Sequence, residues 1–346
     1  MSATDGCRSS DRLGVTVSRL CQHLWTGCLL LAACASDGPD PRWAPAVAPS
    51  PPLQSEERVR FVALGDAGEG NRTQRQVAEA MGRWCAARAD ERGAGCEFAL
   101  YLGDNIYDDG VGSADDPRFE SHFERPYRDL PFPFYVVLGN HDYGVRPLDS
   151  DHAAPELVYA RTSKRWTQPA RAYSMTAGLA RFYAVDTHAL LMELAWGETG
   201  QTEWLTRSLE TDPEGATWNI VFGHHPYRSD GKHGDAGAYE GLPWLPLVNG
   251  AGVAEWFEAA VCGRADLYLS GHDHNLQWQP PECGVELIVS GAGAKLTPLE
   301  RRAGERALFS NDQTAGFVWV ELLPDRLTGV VVSAQGEVLY ERVVHR

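Results

Sequence analysis

The stretch Ser270-Gly271-His272-Asp273-His274-Asn275 follows directly on the largely apolar run Ala265-Asp266-Leu267-Tyr268-Leu269. A short apolar run that breaks at a glycine reads as a buried strand, and open α/β sheets place their sites just beyond the carboxyl ends of such strands. Here that end carries His272 and His274. Within a regular strand, residues spaced by one share a face, whereas on a turn the two imidazoles can each face a different metal ion.

Four earlier stretches break the same way. Val59 to Leu64 runs into Gly65-Asp66-Ala67-Gly68, and Phe98 to Leu102 into Gly103-Asp104-Asn105-Ile106-Tyr107. Phe134 to Leu138 runs into Gly139-Asn140-His141-Asp142, and Trp218 to Phe222 into Gly223-His224-His225-Pro226. One Gly-Asp after a strand is an ordinary turn, because both are default turn residues. Five strand ends in order, each a glycine followed by a carboxylate, carboxamide or imidazole, point instead to a dinuclear site for Zn, Mn or Fe.

These five blocks resemble those of the calcineurin-like metallophosphatases, and specifically the purple acid phosphatases. The tyrosine three residues after Asp104 is the feature that separates the latter from the wider superfamily. Ser163-Lys164-Arg165-Trp166, Asn275-Leu276-Gln277 and Ser290-Gly291-Ala292-Gly293 are similar to the small animal-type, tartrate-resistant members. The likeness runs from about Val59 to Val344.

The resemblance implies a ligand set. Asp66, Asp104, Tyr107 and His274 would hold one ion, and Asp104, Asn140, His224 and His272 the other, with Asp104 bridging. Tyr107, a hard phenolate donor, implies Fe(III) at the first position. Its partner would be Fe(II), Zn(II) or Mn(II). The Gly-His-X-Pro register favours His224 over His225 as ligand. His141 and His233 are expected to contact substrate or leaving group. Asp142, His225 and Asp273 are expected to support the ligands, since metal-bound imidazoles need an acceptor for the other ring nitrogen. The implied reaction is hydrolysis of a small phosphate monoester by hydroxide generated at the metals, with an acidic optimum. Phosphodiester or nucleotide hydrolysis on the same core, and a surface lipoprotein binding metal or phosphate without turnover, are the competing readings.

Between the blocks, Arg72 to Arg88 carries Val77, Met81, Trp84 and Cys85 at helical spacing, which makes a βαβ link to the second strand. A second helix is expected by Arg118 to Tyr127, completing a βαβαβ opening. Later runs read as strands at 171–177, 180–185, 285–289, 316–322, 327–332 and 338–344, with helices at 201–210 and 251–261. Mixed parallel and antiparallel strands in one domain, 59–346, suggest two packed sheets with helices outside. The resemblance makes this an α/β/β/α four-layer sandwich. Segments 145–158 and 193–200 are expected to line the cleft mouth. Residues 186–200 are shorter than the protease-sensitive loop of the animal enzymes, so regulation by cleavage is not carried over.

The remaining sequence bears on location. With net charge -16 and only Lys164, Lys232 and Lys295 as lysines, the chain lacks the basic stripe that a phosphate backbone requires, so no nucleic-acid partner is expected. Residues 1–34 place Arg8, Arg12 and Arg19 before the apolar stretch 24–33, a secretory pattern too short to span a bilayer. Leu31-Ala32-Ala33-Cys34 resembles a bacterial lipoprotein box with Cys34 lipidated, and initiation at Val15 or Val17 would give a typical signal length. The expectation is an exported protein reaching the membrane only through that lipid. Residues 35–58, with prolines at 39, 41, 45, 49, 51 and 52, read as a semi-extended tether. Four cysteines remain in the domain, and proximity suggests Cys85 with Cys96 and Cys262 with Cys283, free thiols being the alternative.

Overall fold

A computed structural model describes residues 41–346 apart from positions 54, 92, 145–148, 212–215, 247, 303 and 305. The expected signal segment and Cys34 lie outside the described residues.

Two mixed sheets carry the chain. Across one sheet the strands run Val338–His345, Arg326–Ser333, Gly316–Leu323, Val59–Leu64, Phe98–Tyr101, Phe134–Val136 and Trp166–Thr167. Across the other they run Ala46–Val47, Tyr173–Ala177, Ala180–Ala184, Trp218–Phe222, Leu267–Ser270, Val285–Ser290, Leu276–Glu282 and Phe309–Asn311. The alternation within Val59–Leu64 shows why the sheets stack. Val59, Phe61 and Ala63 face a core shared with Phe182, Ile220 and Leu269 of the opposite sheet. Val62 and Leu64 face outward onto Val77, Met81 and Trp84 of the helix Arg72–Arg88. On the far side, Tyr183, Val221 and Tyr268 pack against Leu205 of the helix Gln201–Glu210 and Val253 and Trp256 of Ala251–Trp256. The result is the expected four layers, each large apolar side chain adding roughly 1.5–3 kcal/mol by leaving water.

The topology decides where the site falls. Val59–Leu64, Phe98–Tyr101 and Phe134–Val136 are parallel neighbours, with Leu64 opposite Tyr101 and Tyr101 opposite Val136. Trp218–Phe222 and Leu267–Ser270 are likewise parallel, with Phe222 opposite Leu269. All five carboxyl ends therefore emerge along one rim. Hydrogen bonds join the two sheets there: Gly65 N–H donates to Ser290 O (2.8 Å) and Gly293 N–H to Gly65 O (3.1 Å).

Both disulfides expected by proximity are present, Cys85–Cys96 and Cys262–Cys283. Closing the loop of separation 11 restricts the unfolded chain by about 3 kcal/mol in the loop-entropy description.

The described part of the expected tether differs from a free linker. Ala46–Val47 pairs in parallel with Tyr173 and Ser174, and Tyr135 Oη donates to Pro49 O at 2.7 Å. Trp43 is 3% exposed, stacked on Trp196 at 6.1 Å with the Arg171 guanidinium 4.8 Å from its ring centroid. The proline count suggested a segment with nothing to bury. One tryptophan and a two-residue strand are enough to hold it down.

Candidate metal centre

Three of the five strand ends turn in the same way. Asp66, Asp104 and His272, each directly after a glycine, have φ of 56°, 52° and 68°. A non-glycine residue in the left-handed region costs of the order of 1–2 kcal/mol. The strain is held because each side chain or backbone is gripped: His272 N–H donates to Asp66 Oδ2 (2.8 Å), and His141 N–H to Asp104 Oδ1 (2.9 Å).

The donor atoms gather in two groups. In the first, Tyr107 Oη lies 3.1 Å from Asp66 Oδ1, 2.8 Å from Asp104 Oδ2 and 3.2 Å from His274 Nε2. In the second, His224 Nε2 lies 3.0 Å from Asn140 Oδ1, 3.1 Å from His272 Nδ1 and 3.4 Å from Asp104 Oδ1. Asp104 thus turns one oxygen to each group. All seven side chains singled out as donors meet, drawn from five strand ends.

The chemistry of this set fits cations. His224 Nδ1 lies 2.8 Å from Leu102 O, a carbonyl that only accepts, so Nδ1 carries a proton and Nε2 is the nitrogen left for a metal ion. Nε2 faces the oxygens of Asn140 and Asp104, so a cation that displaces its proton would meet these donor atoms together. Donor atoms about 3 to 3.5 Å apart are what a shared ion with bonds of about 2.0–2.2 Å requires. The buried Asp66, Asp104 and His224 form a cluster able to hold a metal ion.

The electrostatics follow from burial and crowding. Burial pushes the Asp104 carboxyl up, but His224, His141 and the donated hydrogen bonds outweigh it and hold it below the ordinary range. Burial pushes His224 and His274 down, and the neighbouring carboxylates more than reverse this. His272 is held well below its ordinary value by burial and by the imidazoles around it, which leaves it neutral. Burial, then Asp104 and Asp66, drive the Tyr107 phenol well above its ordinary value.

The supporting residues differ in part from expectation. Asp142 and Asp273 touch no ligand imidazole. Asp142 accepts from the backbone N–H of Asn105 (2.8 Å) and Gly139 (2.7 Å), tying the second and third strand ends together. Asp273 accepts from Ser229 Oγ and from His233 N–H (2.9 Å), fixing the loop that carries His233. The acceptor for His224 is a main-chain carbonyl, which already sits in position on the adjacent strand end. His225 is buried outside the donor groups, with Nδ1 2.9 Å from Thr187 Oγ1.

His141 lies beside Asp104 and Tyr107, and His233 beside His272. His141 has Nε2 4.0 Å from Asp104 Oδ2 and its ring edge-on to Tyr107 at 4.7 Å, with Nδ1 against Asp108 O. His233 packs its ring 4.1 Å from that of His272 and pairs Nδ1 with Glu240. At the expected cleft mouth, Glu156 is instead buried support: it accepts from Asn105 Nδ2 (2.9 Å), and burial raises its carboxyl to about 7. In segment 193–200, Leu194 is exposed while Trp196 packs on Tyr143 at 5.1 Å.

Two further supports escaped the sequence reading. Asp186-Thr187-His188 is a sixth strand end, without a glycine, and Thr187 Oγ1 accepts from the N–H of His224 (3.1 Å) and of His225 (2.9 Å). An acidic residue directly after an apolar strand was the available signal. Lys295 follows the Gly291–Ala294 turn and sits over Tyr107, which nothing local in the sequence announces.

With these features in place, the chain belongs to the calcineurin-like phosphoesterase family, whose sequence pattern matches residues 59–276. Within that family it is similar to tartrate-resistant acid phosphatase type 5 of Mus musculus, at 30% identity over 88% of this chain and 95% of the mouse protein. It is also similar to purple acid phosphatase 17 of Arabidopsis thaliana, at 33% identity over 70% of this chain and 71% of the plant protein. Among solved structures, GAP50, the anchor in the inner membrane complex of Plasmodium, shares the fold with a TM-score of 0.65 at 23% identity, covering 83% of this chain and 89% of its own.

Proposed function

We propose that this chain is an exported acid phosphatase that hydrolyses phosphate monoesters at a pair of metal ions. The observation that carries the reading is the division of seven donors into two groups that share Asp104. Asp66, Tyr107 and His274 would hold Fe(III), and Asn140, His224 and His272 would hold Fe(II), Zn(II) or Mn(II). When bound, such ions supply Lewis acidity toward phosphoryl oxygens and an acidified water. Asp104, facing both groups, would offset the repulsion between two cations. The hydrogen bond from His224 Nδ1 to Leu102 O fixes its tautomer and aims Nε2 at the second group.

His141 is placed to move a proton. Its Nδ1 faces the Asp108 carbonyl, so a proton at Nε2 would be directed toward the cluster and a leaving-group oxygen there. Proton transfer of this kind contributes on the order of 100-fold to 10,000-fold. His233, anchored by Asp273 and Glu240, would reach the same space from beside His272. The two disulfides support an oxidising compartment. No helix among the described residues is long and apolar enough to cross a membrane. Lipidation at Cys34 belongs to the same proposal and rests on the sequence alone.

Substrate class is tested by comparing p-nitrophenyl phosphate with bis(p-nitrophenyl) phosphate. The expected result is a kcat/KM at least roughly tenfold higher for the monoester. A preference of that size for the diester would replace the monoesterase reading with a phosphodiesterase. No turnover of either after loading with iron and zinc would favour binding without catalysis.

A further inference from the structure

We propose that Lys295 is a positioning residue for Tyr107, setting through its charge how strongly the phenolate donates to a bound Fe(III). The inference rests on the Fe(III)–Tyr107 reading above.

Lys295 Nζ lies 3.4 Å from the centroid of the Tyr107 ring, over its face. It is one of three lysines in the chain, so a lysine at this spot is not one of many. The ring's other neighbours meet it differently: His141 approaches edge-on at 4.7 Å, and Asp66, Asp104 and His274 surround the hydroxyl. The ammonium also pairs with Glu69 Oε1 at 2.5 Å and Asp108 Oδ1 at 3.6 Å.

The backbone beneath Lys295 is built to hold it. Asn71 Nδ2 donates to Ala294 O (3.1 Å), Thr297 N–H to His274 O (3.0 Å) and Gly293 N–H to Gly65 O (3.1 Å). A Cβ at Gly293 would come within 2.5 Å of both Ala67 Cβ and Gly65 O, so the turn closes against the first strand end only with glycine there. The lysine is thereby fixed relative to Asp66 and His274 as well as to Tyr107.

A cation over an aromatic face is attracted to it, and far more strongly once the ring carries a full negative charge. The same attraction lowers the energy of the phenolate's electrons. They become harder to transfer to a metal, so a charge-transfer band moves to shorter wavelength. Glu69 opposes this by cancelling part of the ammonium's field. Removing the lysine charge and removing the Glu69 charge must therefore move the band in opposite directions, which a mere loosening of the loop would not do.

The test is the visible spectrum of the full-length protein loaded with iron. Relative to wild type, Lys295→Met is expected to shift the band to longer wavelength by roughly 10 nm or more, and Glu69→Gln to shift it to shorter wavelength. Lys295→Arg should keep the band at shorter wavelength than Lys295→Met, because a guanidinium keeps the positive charge and also lies on aromatic faces. Tyr107→Phe should abolish the band. An unmoved band in Lys295→Met, or shifts of the same sign in Lys295→Met and Glu69→Gln, overturns the inference while leaving Fe(III)–Tyr107 intact. A wild-type protein that binds iron without any such band overturns the reading beneath it, and the inference with it.

Discussion

Asp104→Asn is expected to lower kcat/KM for a phosphate ester by at least roughly 1,000-fold and to leave the purified protein short of metal. Asn has nearly the shape of Asp, so the turn at φ 52° and the hydrogen bond from His141 N–H can both survive. What is lost is a negative charge that faces Tyr107 and Asp66 on one side and His224 on the other. Two cations held side by side without that charge repel each other, and several kcal/mol of stabilisation at roughly 1.4 kcal/mol per tenfold gives the stated loss. Steady-state kinetics and elemental analysis of the same preparation check both parts. Wild-type metal content together with wild-type activity would show that Asp104 is not shared.

Gly139→Ala is expected to be nearly as damaging, although it removes no donor atom. A Cβ at this position would lie 2.3 Å from Asp104 Oδ1, 2.4 Å from Asp104 N and 2.9 Å from His224 Cε1. Two of these belong to side chains of the donor groups, and the third is backbone that the adjacent parallel strand holds in place. The methyl therefore drives Asp104 and His224 apart. Overpacking of this kind costs about 1–3 kcal/mol in stability, and displacement of reacting groups by about 1 Å costs about 100-fold in rate. Thermal unfolding should show a lowered midpoint, and kcat/KM should fall by about that factor. A folded Gly139→Ala protein with wild-type kinetics would mean that Asp104 and His224 are not packed across Gly139.

How much of this was legible in the sequence follows from how local each signal is. The five strand ends could be read because a glycine and one donor side chain identify each without reference to the others, and the fold then brings them to one rim. The helices Arg72–Arg88 and Gln201–Glu210 and the antiparallel strands near the end of the chain were equally plain from their periodicity. What escaped depends on partners far away in the chain. Trp43 is buried by Trp196 and Arg171, the strand Trp166–Thr167 is two residues long and defined only by its neighbour, and Glu156 acts by reaching Asn105. Asp142 and Asp273 support the site through the turns and the His233 loop rather than through the ligand imidazoles that the sequence suggested as their partners. Backbone N–H groups at the turns were the nearer and more numerous donors.

The central claim is that donors scattered from Asp66 to His274 enclose two cations with Asp104 between them. Anomalous scattering from crystals of the metal-loaded protein, collected at the iron and zinc edges, tests it directly. The account predicts two peaks per chain about 3.5–4 Å apart, one beside Tyr107 and one beside Asn140, with Asp104 reaching both. A single peak, or ions bound anywhere other than between these two groups in an active protein, would contradict it.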